Sequence, residues 1–253
     1  MNDAALGFGA HWPAPSWVRT LSTTRTGGVS QNGWASLNLG SRCGDAPAHV
    51  AENRRRVREA LGATPCWLHQ VHGTAVVEAC VGPTEMEADA SVSRASGAAC
   101  VVLTADCMPL LFCHQSERVV AAAHAGWRGM AAGVIEATVH AMAVDSAGIL
   151  AWLGPTIGPE AFEVGDEVRA AFLAVDPAAA GAFRPGAPGK WWADLYHLAR
   201  LRLARLGVTQ VHGGGFCTAR EPERFFSHRR DRGITGRMGN FIWMVQDFQG
   251  PPV

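Results

Sequence analysis

The fold is decided by one stretch, residues 98–114, which reads Ala98-Ala-Cys-Val-Val-Leu-Thr-Ala-Asp-Cys-Met-Pro-Leu-Leu-Phe-Cys-His114. Its first half predicts a central strand buried on both faces, because strands with one solvated face alternate apolar and polar residues. Pro109 cannot donate a hydrogen bond to a neighbouring strand, so strand pairing is expected to lapse near Cys107. Asp106 needs a partner or a solvent-lined cavity in so apolar a run. The stretch therefore predicts a pocket beside Cys107.

Strands and helices are predicted on both sides of this stretch. Apolar residues at helical spacing predict helices from His49 to Leu61, Met130 to Val144, Asp166 to Val175 and Trp191 to Leu206. Further strands are predicted from Val18 to Arg25, Asp89 to Ser93, Val119 to His124, Ile149 to Leu153 and Gly239 to Val245. Residues 66–80 predict one long strand, or a strand pair interrupted at residues 69–73. Residues 176–189 are rich in Pro, Gly and Ala and predict a surface loop. Strands outnumber helices and some are consecutive, which favours an α+β fold with layered mixed sheets in one domain over residues 1–253.

Composition disfavours two classes of partner. The chain has 22 basic and 22 acidic residues, and only 17% of its residues are charged. Such a balance provides no basic field for nucleic acid or anionic lipid, so we expect neither partner. No signal segment or apolar run of about 18 residues is apparent, and the seven cysteines have no regular spacing. We therefore expect a cytoplasmic protein with free thiols.

Cys107 and two histidines form a candidate site. His124 ends an apolar run 17 positions after Cys107, and His72 lies in the segment His69-Gln-Val-His-Gly73. Residues three apart on a strand point to opposite faces, so only one of the two histidines in that segment is expected to face a given pocket. A thiolate with imidazoles on separate strand ends suits zinc, and three protein ligands leave a fourth position for water or substrate.

The residues alone leave three chemical interpretations open. Zinc held by Cys107, His72 and His124 would form a catalytic metal site. Without a metal, Cys107 as nucleophile and His124 as base would form a cysteine hydrolase dyad. The same donors also suit copper, which would permit oxidation of phenols.

Arginines outside regular elements form a second set of candidates. Lys190 is the one lysine among the 22 basic residues, and arginine grips phosphate or carboxylate with two hydrogen bonds. The arginines in Gly/Thr/Ser-rich, non-periodic segments are Arg25, Arg128, Arg229, Arg230 and Arg237. As a group they suggest an anionic ligand such as phosphate, and we assign Arg25, Arg128 and Arg230 to substrate binding. The arginines of the helix at 49–61, namely Arg54, Arg55, Arg56 and Arg58, are expected to form a solvated face.

Several motifs together resemble the laccase-domain family, whose members are called polyphenol oxidases, purine nucleoside phosphorylases or peptidoglycan editing factors. The resemblance covers roughly residues 18–247. It rests on His69-Gln-Val-His-Gly73, Ala88-Asp-Ala90, Thr104-Ala-Asp-Cys-Met-Pro109, Ala123-His-Ala-Gly-Trp-Arg-Gly129, Gly154-Pro-Thr-Ile-Gly-Pro159, Phe162-Glu-Val-Gly165 and Phe226-Ser-His-Arg-Arg-Asp-Arg232 with Gly236-Arg.

The resemblance implies both a fold and an activity. It implies a four-layer α/β/β/α fold like that of a cysteine-hydrolase toxin, and a catalytic zinc bound by His72, Cys107 and His124. It implies phosphorolysis of adenosine, inosine and methylthioadenosine, together with adenosine deamination. Two other activities remain as alternatives: a hydrolase that removes L-serine from a UDP-linked sugar peptide, and a copper-linked polyphenol oxidase. The expected partners are a purine nucleoside and phosphate, bound by a monomer or a small homo-oligomer.

Overall fold

The computed structural model describes residues 6–79 and 85–246. The strands are β1 (Gly7–Phe8), β2 (Val18–Thr23), β3 (Thr64–Cys66), β4 (Leu68–His69), β5 (Val76–Glu78), β6 (Met86–Glu87), β7 (Ala90–Ser93), β8 (Ala98–Thr104), β9 (Met108–His114), β10 (Val120–Ala125), β11 (Ile149–Leu153), β12 (Glu163–Gly165), β13 (Phe183–Pro185), β14 (Lys190–Ala193), β15 (Gln210–Gly213) and β16 (Met238–Met244). The α-helices are α1 (Pro47–Leu61), α2 (Trp127–Ala132), α3 (Val134–Met142), α4 (Asp166–Leu173) and α5 (Leu195–Arg205).

Two large mixed sheets form the centre of the molecule. One has five strands in the order β1-β2-β16-β8-β3, and the other has six in the order β15-β11-β9-β10-β7-β5. Most neighbouring strands are antiparallel, but β3 runs parallel to β8, β15 to β11 and β5 to β7. The mixed sheets confirm the α+β class that the run of consecutive strands predicts.

The two sheets stack face to face, and helices cover their outer faces. The layer between the sheets contains Cys100, Val102, Ile242, Leu111, Val120 and Trp152. On the five-stranded side, Val57 and Leu61 of α1 pack against Val101 and Phe241. On the six-stranded side, α3 and α5 share one core with β9 and β10. The four-layer α/β/β/α arrangement is therefore confirmed.

The stretch at residues 98–114 connects the two sheets. Its first half is β8 of the five-stranded sheet, and its second half is β9 of the six-stranded sheet. At the corner between them, Asp106 has a φ of 94°, in the left-handed region. β9 then pairs with β10, which places His124 opposite Pro109. The predicted lapse of pairing at Cys107 is thus the point where the chain passes from one sheet to the other.

Two predicted helices differ from those observed. The predicted helix from Met130 to Val144 is two helices, because Gly133 has a φ of 104° and ends α2 before α3 begins. The helix predicted from Trp191 begins instead at Leu195, where the Asp194 side chain accepts a hydrogen bond from the backbone N–H of His197. Trp191 and its neighbours form β14 of a three-stranded sheet, since bulky aromatic residues suit a half-buried strand.

Among the described cysteines, those at positions 43, 100, 107, 113 and 217 are free thiols. Burial raises the pKa of Cys100 and Cys113 to about 12, so both thiols stay protonated near neutral pH. No helix within residues 6–79 and 85–246 has the length and apolarity needed to cross a membrane.

Candidate functional site

Three side chains from three parts of the chain meet at the corner between the sheets. His72 comes from the loop after β4, Cys107 from the corner itself and His124 from β10. One ligand atom from each residue lies within 4.8 Å of the other two, and Cys107 Sγ is 3.8 Å from His72 Nε2. His124 is buried, Cys107 is half-buried and His72 is exposed. The group, here called the Cys-His-His group, therefore opens to solvent on the His72 side.

Asp89 supports two members of this group and is fully buried. Its Oδ1 accepts hydrogen bonds from His124 Nδ1 at 2.8 Å and from the backbone N–H of His72 at 2.9 Å. Its Oδ2 accepts from the backbone N–H of Val71 at 3.2 Å and of Gly73 at 2.6 Å. The carboxylate thus holds the His124 ring so that Nε2 faces the group, and it fixes the loop that carries His72.

The charge of Asp89 is stabilised by these bonds. Burial works against its ionisation, but the hydrogen bonds from His124 and from backbone amides lower the pKa of the Asp89 carboxyl below its usual value. The sequence pattern assigns Asp89 no separate role. The available signal was an acidic residue flanked by apolar positions at the start of a buried strand, which requires a nearby donor.

The electrostatics of the group favour a thiolate. Burial works against ionisation of Cys107, but His124 and His72 lower the pKa of this thiol to about 6. The pKa of His124 is raised to about 9, because the Cys107 and Asp89 charges outweigh the effect of its burial. Cys107 therefore differs from the buried thiols of Cys100 and Cys113, and its ionised form is the one that binds metals or acts as a nucleophile.

Two glycines of the turn after β10 allow close approach to the group. A Cβ atom on Gly126 would lie 2.8 Å from Cys107 Sγ and 3.0 Å from His72 Cδ2. A Cβ atom on Gly129 would lie 3.0 Å from the carbonyl oxygen of Gly73. At these two positions of the cavity wall, a side chain would therefore crowd the site.

The donor set fits a borderline-soft metal. A thiolate and two imidazoles are ligands that zinc and copper both accept. Within the described residues, no fourth His, Cys, Asp or Glu belongs to the group. A bound ion would therefore keep at least one position for water or substrate, as catalytic zinc sites do.

The Cys-His-His group lines a cavity of about 540 Å³. Its apolar and aromatic lining includes Leu103, Trp127, Ile157, Phe162 and Leu195. Its charged lining includes Arg42, Arg54, Arg128, Arg229, Arg237 and Glu85. Cavities of this size hold drug-sized ligands, and the mixture of aromatic and cationic walls suits a flat, anionic or phosphate-accompanied ligand.

The predicted arginines divide between this cavity and the scaffold. Arg128 lines the cavity and is exposed, with its guanidinium 4.4 Å from the centroid of the Trp127 ring. Arg229, noted in the sequence but not assigned to substrate, also lines the cavity, and its Nη1 donates to the carbonyl of Glu163 at 2.9 Å. The structure therefore brings Arg128 to the predicted site and adds Arg229.

Arg25 and Arg230 are not among the described residues that line the cavity. Arg25 donates to the carbonyls of Ala35 and Pro222 at 3.0 and 2.9 Å. Arg230 pairs with Asp231 at 2.7 Å and also donates to the backbone carbonyls of residues 218 and 225. Both guanidiniums are engaged in holding irregular segments together, which is the physical reason that they do not join Arg128 at the site.

Asp106 has the partners that its position in an apolar run requires. Its Oδ1 accepts from Thr218 Oγ1 at 2.6 Å, and its Oδ2 accepts from the backbone N–H of Arg229 at 2.7 Å. Asp106 directly precedes Cys107, and its hydrogen bonds therefore link the corner between the sheets to the segment that carries Arg229. His69, in contrast, lies 3.8 Å from Glu87 and outside the Cys-His-His group, so one histidine of its segment faces the site as predicted.

Fold and site together define a class of protein with a three-ligand candidate metal site between two stacked mixed sheets. The family model described as "Multi-copper polyphenol oxidoreductase laccase" matches residues 19–245. The chain therefore belongs to this laccase-domain family, as the motifs predict.

Relatives of known name extend over nearly the whole chain. The chain is 56% identical over 235 residues to a purine nucleoside phosphorylase of Pseudomonas aeruginosa, covering 92% of this chain and 96% of that protein. It is 54% identical over 237 residues to the purine nucleoside phosphorylase YfiH of Escherichia coli, covering 92% and 97%. A crystal structure of a Neisseria meningitidis protein matches with a TM-score of 0.93 at 50% identity, covering 95% of this chain and all of that one.

Proposed function

We propose that this protein is a zinc-dependent purine nucleoside phosphorylase acting on adenosine, inosine and methylthioadenosine, with adenosine deamination as a second reaction of the same pocket. The observation that carries the proposal is the open Cys-His-His group in a cavity that also presents arginine and aromatic side chains. The names of relatives at 54–56% identity support the same substrate class.

The residues of the cavity suit the two substrates of phosphorolysis. In this reaction a phosphate oxygen bonds to the anomeric carbon of the ribose while the bond to the base breaks, and the base takes the electron pair and a proton. The Arg128 guanidinium is exposed in the cavity, and no described carboxylate neutralises it, so it can contribute to phosphate binding. Trp127 and Phe162 offer ring faces for the base.

The supporting residues prepare the metal ligands. Asp89 orients His124, and the low pKa of Cys107 keeps the thiolate available near neutral pH. When bound at this group, zinc supplies Lewis-acid stabilisation of developing negative charge. The exposed His72 side of the group is the face that a substrate can approach.

The test is a nucleoside panel with and without phosphate, run on protein whose metal content is measured. We expect base release that depends on phosphate and that falls at least about a hundredfold in Cys107→Ala, as for loss of a catalytic group. Cys217→Ala is the matched control, because that thiol lies outside the Cys-His-His group. Full phosphorolysis by metal-free Cys107→Ala would refute the proposal.

A second candidate is the hydrolase that releases L-serine from a UDP-linked sugar peptide. The observation that favours it is the extent of the cavity, whose charged wall continues to Arg42 and Arg237 and would accommodate a ligand larger than a nucleoside. Incubation with precursors carrying L-serine or L-alanine tests it, since selective release of serine is expected only from this activity. Copper-linked phenol oxidation ranks third, because a multicopper cluster requires more histidines than the one three-ligand group of the described chain provides.

A further inference from the structure

A second group of charged side chains lines the cavity apart from the metal ligands. It consists of Arg42, Arg54, Arg237 and Glu85, here called the arginine wall. Glu85 pairs with two of the three arginines, at 3.1 Å from Arg42 Nη2 and at 2.9 Å from Arg54 Nη1. Three guanidinium charges therefore face one carboxylate, which leaves a surplus of positive charge in this part of the cavity.

Arg237 contributes the charge that Glu85 does not neutralise. Its Nη1 donates to the carbonyls of the two preceding residues at 3.0 Å each, and no ion pair to it is found in the described part of the chain. Its backbone N–H donates to Asn38 Oδ1 at 2.9 Å. Its stem lies against Gly40, where a Cβ atom would be 2.7 Å from Arg237 Cγ. Arg237 is thus held in place without losing its charge to a partner.

Arg54 is also held rigidly. Its guanidinium lies 4.0 Å from the centroid of the Trp67 ring, and its Nε donates to the carbonyl of Leu39 at 2.9 Å. Only 18% of its side chain is exposed, against 57% for Arg42. Because these guanidiniums are positioned before any ligand arrives, little side-chain entropy is lost when they bind an anion.

We propose that the arginine wall is an oxyanion subsite that binds a phosphate-type group in the same cavity as the Cys-His-His group. Planar guanidiniums match phosphate oxygens with paired, charge-assisted hydrogen bonds. The identity of the rest of the ligand rests on the proposed function: the anion is either inorganic phosphate or the phosphate ester of a purine nucleotide. The wall would then select nucleosides that carry an anionic group, or hold the phosphate co-substrate.

The test is calorimetric titration of the metal-loaded protein with inorganic phosphate and, separately, with adenosine 5′-monophosphate. Arg237→Gln is expected to weaken binding of at least one of these anions by about tenfold or more. Arg42 is at an exposed position, so Arg42→Gln does not put folding at risk. This variant is expected to weaken binding of the same anion. Arg58→Gln removes the same charge from α1 outside the cavity lining and is expected to leave both affinities unchanged.

Each result has one meaning for the subsite. Weakened binding of the nucleotide alone identifies a phosphate ester, and weakened binding of inorganic phosphate alone identifies the co-substrate; either supports the proposal. If neither anion binds, or if both arginine variants bind as the wild type does, the subsite is refuted. Arginine-dependent binding in a protein without phosphorolysis would instead refute the proposed function and leave the subsite standing.

Discussion

Asp89 is the single residue on which the ligand geometry depends most. One buried carboxylate receives four hydrogen bonds, one from the His124 ring and three from the backbone of residues 71–73. Without it, His124 would be free to turn and the His72 loop would lose its anchor. Neither consequence can be inferred from spacing, because Asp89 lies 17 positions after His72 and 35 before His124.

We predict that Asp89→Asn lowers zinc affinity about 10- to 100-fold, the usual effect of losing a residue that orients a metal-bound histidine. In the asparagine variant, the side-chain NH2 group would face N–H donors that the carboxylate oxygen now accepts from, so those hydrogen bonds would be lost. The negative charge would be lost as well. Competition with a chromophoric chelator measures the affinity. Asp145→Asn is the control, because Asp145 is exposed and asparagine caps its short helix equally well. Equal zinc affinity in folded Asp89→Asn would contradict the orienting role.

A second prediction at this scale concerns Gly126. Its φ of −60° and ψ of 159° are open to any residue, so the effect of Gly126→Ala is steric. The new methyl group would displace the Cys107 thiol and the His72 ring, with a cost of about 1–3 kcal/mol in the free energy of unfolding and a loss of metal affinity. Thermal unfolding and zinc titration check this. Gly181→Ala is the control, since its nearest neighbour would be 3.8 Å away; a similar loss in both variants would argue against the steric reason.

At the scale of elements, the corner between β8 and β9 positions the site. The two strands belong to different sheets, and Asp106 joins the corner to the segments around Thr218 and Arg229. Asp106, whose φ is 94°, therefore accepts a hydrogen bond on each of its carboxylate oxygens. The corner brings Cys107 to the group and attaches a cavity wall to it at the same time.

We predict that Asp106→Ala lowers the free energy of unfolding by about 2–4 kcal/mol, from two lost hydrogen bonds and an alanine at positive φ. Asp106→Asn should lose less, because asparagine tolerates the left-handed region and keeps one acceptor oxygen. Urea denaturation of both variants measures the difference. If the two variants lost the same stability, the acceptor oxygen and the positive φ that asparagine tolerates would not be the causes of the loss.

For the whole molecule, stacking of the sheets brings together ligands from three distant segments. The loop after β4, the corner between the sheets and β10 each supply one ligand. A metal bound there would link both sheets, and it would bind the folded state only. Metal binding should therefore be coupled to global stability.

We predict that zinc at about 100 times its dissociation constant stabilises the protein by about 2.7 kcal/mol, and that chelation reverses the gain. Cys107→Ala should show no such gain, because one ligand is missing. Cys43→Ala, which removes a thiol of the same cavity outside the Cys-His-His group, should keep it. Thermal unfolding with and without zinc measures the shift, and an equal shift in Cys107→Ala would show that the stabilising ion binds elsewhere.

The arginines show where prediction from the sequence stops. The helix at residues 49–61 was correctly predicted, but Arg54, expected on its solvated face, packs on Trp67 and lines the cavity. Arg25 and Arg230, expected at the site, bind backbone carbonyls elsewhere. A long, flexible side chain reaches several ångströms from its Cα, so its sequence position does not determine which surface its charge occupies.

The sequence by itself determined the main strands and the lapse of pairing at Cys107, because apolar runs and the polar breaks between them act through local backbone geometry. The family followed from the resemblance of several motifs taken together. It also indicated the His72, Cys107 and His124 candidates, whose residue types limit the chemistry. Only the tertiary structure decided that Asp89 supports two of them and that the arginine wall shares their cavity. These contacts join residues far apart in the chain, and their formation depends on how two sheets stack rather than on any local pattern.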